Sequence, residues 1–379
     1  MVIQSENVYL GSSFQPAQIE IEEKRIIAIH EYNTKEVDID YGNKRIVPGF
    51  YDIHTHGYLG YDATTGEKEG LITWKEALPK EGVCGFCPTT ITASSSQLTR
   101  AFRHIAEIMH DNEAGAEILG IHMEGPYISK EYKGAHNDQF IKKGTIEEFE
   151  SFQQAAQGMI RIVTIAPEED NQFELIKYLV KNGVCVSLGH SAATYEIAKK
   201  AIRNGASCFT HTYNAMRAFH HREAGMVGAA LNIENAYAEI IGDGIHTSFE
   251  ALSIFYKLKK DYAIMVSDAL SCKGYPIGTS FLFMGQEAII YPDGYAHLQI
   301  KEKPLAGSTL KMNEGLYNIV EKARVPFSIA LASITNNPCK YLGIDQDRGS
   351  LEQGKNADIV ILDEDYSIIQ TYCCGKKQL

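Results

Sequence analysis

An excess of positive charge is what this sequence most clearly lacks: 36 Lys and Arg stand against 48 Asp and Glu, a formal net charge of -12. A nucleic-acid surface needs clustered Lys and Arg to neutralise phosphates, so that class of partner is excluded, and an anionic ligand needs a local pocket. Met1–Tyr9 has neither a basic start nor an apolar core, and no later apolar run is long enough to span a bilayer. The expectation is a soluble cytoplasmic protein with no membrane partner. Low-complexity segments are missing as well. With 44% hydrophobic residues, the 379-residue chain can bury one large core or two modest ones. Its 8 cysteines are scattered, several inside apolar runs such as Val184-Cys185-Val186-Ser187-Leu188, which suits buried reduced thiols. Cys84-Gly85-Phe86-Cys87 has the spacing of a redox or zinc pair, but no second pair follows, so both cysteines read as strand residues in a core.

What the sequence does have is alternation. From about Val47 to Ile334, apolar strand-like runs alternate with amphipathic helical stretches, the pattern of parallel βα units. Strands are predicted at Arg45–Ile53, Gly82–Thr90, Ala116–Glu124, Met159–Ala166, Val184–His190, Ala206–His211, Ala236–Asp243 and Tyr262–Asp268. Helices are predicted at Gln97–His110, Phe173–Lys181 and Tyr195–Arg203. Eight such strands close a (β/α)8 TIM-like barrel, assigned here to residues 47–334. The flanks, 1–46 and 335–379, have short alternating segments such as Ala17-Gln18-Ile19-Glu20-Ile21-Glu22 and too few apolar residues for separate cores. Both chain ends are therefore expected to pair into one small β-sandwich domain. Thr279–Glu302 reads as hairpin strands around Pro292-Asp293-Gly294, leaving the barrel before its last helix.

Metal-binding residue types recur at the predicted strand ends, which in a barrel meet at one mouth. The first strand runs into Asp52-Ile53-His54-Thr55-His56, the third ends in His122-Met123-Glu124, and the fifth ends in His190. The sixth ends in His211, the seventh in Asp243 with His246 after it, and the eighth in Asp268. Alternate strand residues face the same way, so His54 and His56 aim at one point. A lone histidine is most often a hydrogen-bonded core or surface residue. Four of them with Glu124 and Asp268, at the ends of several strands, point instead to a divalent ion with an open coordination position.

These motifs carry a resemblance. Pro48-Gly49-Phe50-Tyr51-Asp52-Ile53-His54-Thr55-His56-Gly57 resembles the first-strand signature of the amidohydrolase superfamily. Seven further motifs resemble the N-acetylglucosamine-6-phosphate deacetylase family within it: His122-Met123-Glu124-Gly125-Pro126, Lys133-Gly134-Ala135-His136, Gly189-His190-Ser191-Ala192, Thr210-His211-Thr212-Tyr213-Asn214-Ala215-Met216, Arg222-Glu223-Ala224-Gly225, Asp243-Gly244-Ile245-His246 and Leu305-Ala306-Gly307-Ser308-Thr309. The first motif identifies only the superfamily; the combination of the others, in order along nearly the whole chain, is specific.

The resemblance implies a hydrolase that removes the acetyl group from a phosphorylated amino sugar, with one or two divalent ions, zinc or iron, in a homodimer. Glu124, His190 and His211 would hold the principal ion and His54 and His56 a second, with Glu124 as the bridging carboxylate. Many superfamily members bridge with a carboxylated lysine at the end of the fourth strand, where this chain has Thr164-Ile165-Ala166-Pro167. Asp268 would be the general base. Ala135, His136, Asn214, Ala215, Arg222, Asp243, His246, Leu305, Ala306 and Gly307 would contact substrate, with Arg222 and the Asn214 and Ala215 main-chain N–H groups on the phosphate. Blander roles stand beside these: Arg222 as a solvated charge, Asp243 or Ser248 as a helix cap. The alternatives are a deacetylase for the galactosamine isomer, an amidohydrolase for cyclic amides or dipeptides, and a non-catalytic barrel scaffold.

Overall fold

The computed structural model describes residues 1–109, 115–283, 286–291, 294–299 and 307–378. Eight strands line one barrel: Phe50–Thr55, Val83–Thr90, Ile121–Glu124, Ile160–Ile165, Cys185–Leu188, Cys208–Phe209, Tyr237–Ile241 and Ala263–Val266. Neighbours pair in parallel from the first strand to the eighth. Their residues are buried nearly throughout, because helices cover the outside and side chains fill the inside. The helices Ser95–Met109, Glu174–Lys181 and Tyr195–Arg203 each turn an apolar stripe to the sheet. No helix among the described residues is long and apolar enough to cross a membrane.

Closure between the first and eighth strands is partly made by a side chain. Asp268 N donates to His54 O (2.9 Å) and His56 N to Ala269 O (2.8 Å). One step deeper, the Asp52 carboxylate accepts from Ser267 Oγ (2.5 Å) and Ser267 N (3.2 Å).

Two strands are corrected. Ala116–Glu124 is broken at Leu119-Gly120 into Glu117–Ile118 and Ile121–Glu124. The run Arg45–Ile53 is two strands, Arg45–Pro48 and Phe50–Thr55, broken at Gly49. A Cβ there would fall 2.5 Å from Cys84 Sγ and 3.0 Å from the Asp358 Cβ, so only glycine allows the chain to cross that close. Arg45–Pro48 leaves the barrel and pairs antiparallel with Ile359–Leu362. Those two strands join the N-terminal strands Val2–Leu10, Ser13–Glu22 and Arg25–Glu31 and the C-terminal strand Ile368–Cys373 in one sheet. Side chains from both halves of that sheet, Ile3, Ile19 and Ile26 with Ile359, Ile361 and Tyr372, meet in one core. The sheet therefore curls on itself as a small sandwich. The helix Asn336–Leu342 precedes the C-terminal strands and packs on the first and eighth barrel strands.

The excursion after the eighth strand forms a three-stranded antiparallel sheet, Ser280–Phe283, Gln286–Ile290 and Ala296–Leu298. Its expected turn at Pro292-Asp293 and its end at Glu302 lie outside the described residues, as does His110 at the end of the second-strand helix. Cys84 and Cys87 are both buried and free. Three residues apart on one strand, they face opposite sides and cannot share a metal.

Candidate metal centre

At the mouth of the barrel, four imidazoles present the same edge inward. His54 and His56 come from the first strand and the residue beyond it. His190 and His211 stand two residues past the fifth and sixth strands. Every Nδ1 is committed outward: His56 to Thr89 O (2.9 Å), His190 to Tyr132 O (2.9 Å), His211 to Asn214 O (3.1 Å), and His54 to Glu239 Oε2 (2.8 Å). A carbonyl oxygen only accepts, so these Nδ1 atoms carry the proton and each Nε2 turns a lone pair into the site.

Glu124, the last residue of the third strand, lies where those lone pairs converge. Its Oε1 is 3.1 Å from His190 Nε2 and 3.0 Å from His211 Nε2, which are 3.1 Å from each other. Its Oε2 is 3.2 Å from His56 Nε2, and His54 Nε2 lies 3.3 Å from His56 Nε2. Asp268 Oδ1 completes this second half-site, 3.1 Å from His56 Nε2 and 3.4 Å from His54 Nε2. The carboxylate of Glu124 thus faces both half-sites.

Charge tells the same story as geometry. Burial disfavours the cationic form of His56, yet Asp268 and Glu124 outweigh it and push the imidazole up to about 10. His54 is also driven well upward against burial, by Glu124, Glu239 and Asp268. Burial would raise the carboxyls of Glu124 and Asp268, but the imidazoles hold both below their usual range. A buried set of lone pairs and carboxylates that draws protons onto its histidines is short of positive charge. Divalent ions with imidazole and carboxylate preferences fit it, and His54, His56 and Glu124 form one group close enough to share an ion.

His136 reaches Glu124 Oε2 with Nε2 at 3.3 Å but differs in kind. Its Nδ1 accepts the Thr92 main-chain N–H (3.1 Å), so the proton sits on Nε2. Burial and the neighbouring His190 push this imidazole down to about 4, which keeps it neutral. With the proton on Nε2 it presents a hydrogen-bond donor to the site. His122, also buried, spends both nitrogens inside the barrel, on Ile53 O (3.0 Å) and Thr164 Oγ1 (2.8 Å).

Of the remaining predicted residues, those described lie on loops. Asp243 accepts from the Ile245 and His246 main-chain N–H groups (2.8 Å each) and holds His246 Nδ1 at 2.6 Å, while Ser248 caps the following helix. The Asn214 main-chain N–H is already given to His211 O (3.0 Å), but its amide Nδ2 is buried without a partner. Ala215 follows in a left-handed conformation, φ +49°. Ala135 is exposed on the loop over the fifth-strand histidine, and Gly307 lies against Leu270, two residues past Asp268. Arg222 stands on an exposed turn with its guanidinium 2.8 Å from His221 Nε2, and among the described residues it makes no bond to the ligand cluster. Leu305 and Ala306 lie outside the described residues.

Two participants escaped the sequence reading. Glu239 is fully buried in the middle of the seventh strand, Tyr237–Ile241; its signal was a lone acid inside an apolar run. Thr92, two residues past the second strand, meets His136 Nδ1 with both its main-chain N–H (3.1 Å) and its hydroxyl (2.7 Å).

Comparison with known proteins places this geometry. Residues 45–377 match the amidohydrolase family. An N-acetylglucosamine-6-phosphate deacetylase of Bacillus subtilis (strain 168) is 38% identical over 335 residues, 87% of this chain and 83% of its own. An N-acetylgalactosamine-6-phosphate deacetylase of Escherichia coli O157:H7 is 33% identical, covering 87% of each chain. A Mycobacterium smegmatis N-acetyl-D-glucosamine-6-phosphate deacetylase variant, solved in complex with N-acetyl-D-glucosamine-6-phosphate, superposes with a TM-score of 0.92 at 27% identity, over 100% of this chain and 99% of that one.

Proposed function

The chain belongs to the amidohydrolase family, and on that premise we propose that it hydrolyses N-acetylglucosamine 6-phosphate to glucosamine 6-phosphate and acetate. The observation that carries this reading is the pairing of the Glu124-centred cluster with Asp268 at a barrel mouth, in a chain 38% identical to an enzyme of that name. A bound divalent ion supplies Lewis acidity, which makes water a nucleophile near neutral pH and polarises a carbonyl.

The chain's own groups do the rest. Glu124, His190 and His211 would hold the principal ion, and His54 and His56 a second; zinc and iron both suit these donors. Asp268, kept ionised by the imidazoles beside it, takes a proton from the attacking water and returns it to the departing amine, which leaves only when protonated. The Nε2–H of His136 steadies the carbonyl oxygen as charge builds on it. His246, aligned by Asp243, meets a sugar hydroxyl. Arg222 and the unpartnered Asn214 amide receive the 6-phosphate. Eight free cysteines support a reducing, cytoplasmic setting, and two copies are proposed to associate, as the family resemblance implies.

Acetate release tests the reading. The phosphorylated sugar should be turned over far faster than N-acetylglucosamine itself, and Arg222→Ala should erase much of that difference through KM. A charge-assisted contact contributes about 1.5–3 kcal/mol, roughly 10- to 150-fold. Equal rates on both sugars would sink the phosphate claim and favour a general amidohydrolase. The galacto isomer is the second reading, because a relative acting on it is 33% identical. A higher kcat/KM for N-acetylgalactosamine 6-phosphate would establish it.

A further inference from the structure

Of the four inward-facing histidines, three anchor Nδ1 on a neutral carbonyl, those of Thr89, Tyr132 and Asn214. His54 alone anchors it on a carboxylate, Glu239 Oε2 at 2.8 Å. Glu239 lies fully buried in the seventh strand, where a charged side chain is otherwise out of place. Its other support is weak: His211 N approaches Oε2 at 3.3 Å, and Oε1 has no hydrogen-bond partner. Among the described residues its only ion pair is with His54. A buried carboxylate held this way is costly unless positive charge is placed nearby, and the one open route to such charge runs through the His54 ring to Nε2.

Counting charge around the centre sharpens the point. One divalent ion is balanced by Glu124 and Asp268 alone, given neutral imidazoles. A second ion leaves two positive charges in excess, and Glu239 is the additional carboxylate buried against a ligand of that half-site. Its hydrogen bond also fixes the His54 ring so that Nε2 faces His56 Nε2 and Asp268 Oδ1, at 3.3 and 3.4 Å.

Resting on the two-ion reading above, we propose that Glu239 is a positioning residue that sets the second metal position: its charge and its hold on His54 make that half-site bind an ion, while the Glu124–His190–His211 half-site, which Glu239 meets only at the His211 main-chain N–H (3.3 Å), keeps its ion without it. The role is exerted through His54, with no contact to substrate.

The test is metal binding rather than turnover. Wild type, Glu239→Gln and Glu239→Asp are titrated with zinc in chelator-buffered solution, with bound zinc counted by mass spectrometry of the dialysed protein. Gln can still accept the Nδ1–H but carries no charge. The expected result is two ions in wild type and, in Glu239→Gln, an unchanged first ion with the second weakened about 10- to 100-fold. Glu239→Asp should recover part of that loss. The retained first ion shows that the variant is folded. Equal second-ion affinity in wild type and Glu239→Gln overturns the proposal, as does a parallel loss of both ions. A wild type that takes only one ion overturns the two-ion reading itself, and the wild-type titration alone reports that failure.

Discussion

Asp268, His190 and His211 sit in the left-handed region, at φ +48°, +47° and +28°. Non-glycine residues rarely go there, at a cost of about 1–3 kcal/mol each. Each comes two residues after its barrel strand ends, where the backbone turns sharply enough to swing a side chain over the mouth. For Asp268 the turn is held by its main-chain N–H on His54 O. Asparagine tolerates the same φ, so Asp268→Asn removes charge and basicity with little disturbance of the turn. Its expected effect is a loss of about 10² to 10⁴ in kcat, with the principal ion at Glu124, His190 and His211 retained. Activity within a few-fold of wild type would take Asp268 out of proton transfer. Residue types at strand ends made His54, His56, Glu124, His190, His211 and Asp268 legible in the sequence as one cluster. The ring orientations were not, because they depend on which acceptor each Nδ1 finds, and those acceptors are mostly main-chain carbonyls. His136 illustrates this: the Thr92 N–H and hydroxyl on its Nδ1 set which nitrogen faces Glu124.

Between elements, the seam of the first and eighth strands is the place where a single side chain joins two strands. Asp52 takes both Ser267 donors, and Ser267 Oγ in turn accepts the Ala269 N–H (3.2 Å), so the loop carrying Asp268 is tied down on both sides. Asp52→Ala leaves two buried donors without partners, at about 1–3 kcal/mol each. A loss of roughly 2–5 kcal/mol in urea unfolding is expected, and a change below about 0.5 kcal/mol would show that the seam does not need it. The strands themselves were readable from apolar runs, although most ends were trimmed by one or two residues, as in Val184–His190 against Cys185–Leu188, and Ala116–Glu124 is broken into Glu117–Ile118 and Ile121–Glu124. The mistaken joining of Arg45–Pro48 to Phe50–Thr55 has a physical origin. Both segments are apolar and extended, and what separates them is Gly49, whose neighbours Cys84 and Asp358 are remote in sequence.

At the scale of the whole molecule, the barrel and the sandwich share structural members. Along Ile359–Leu362, Ile359 and Ile361 enter the sandwich core while Val360 and Leu362 enter the barrel core, as strand alternation requires. Ile46 and Val47 divide in the same way on the paired strand. Unfolding either part strips one face of both strands, so the two should melt together. The ions add to this because they bind the folded chain: at a free concentration a thousand times Kd, one ion stabilises by about 4 kcal/mol. With unfolding entropy near 2.1 cal/mol/K per residue, over 379 residues, that corresponds to about 5 °C in Tm. Calorimetry of the metal-loaded protein should therefore show one transition, moving down by on the order of 5 °C per ion on chelation and returning when zinc is restored. If two copies associate as proposed, Tm should also rise with chain concentration. Two separated transitions would mean that the shared strands do not couple the cores, and a Tm indifferent to chelation would mean that the cluster around Glu124 holds no ion tightly enough to support catalysis.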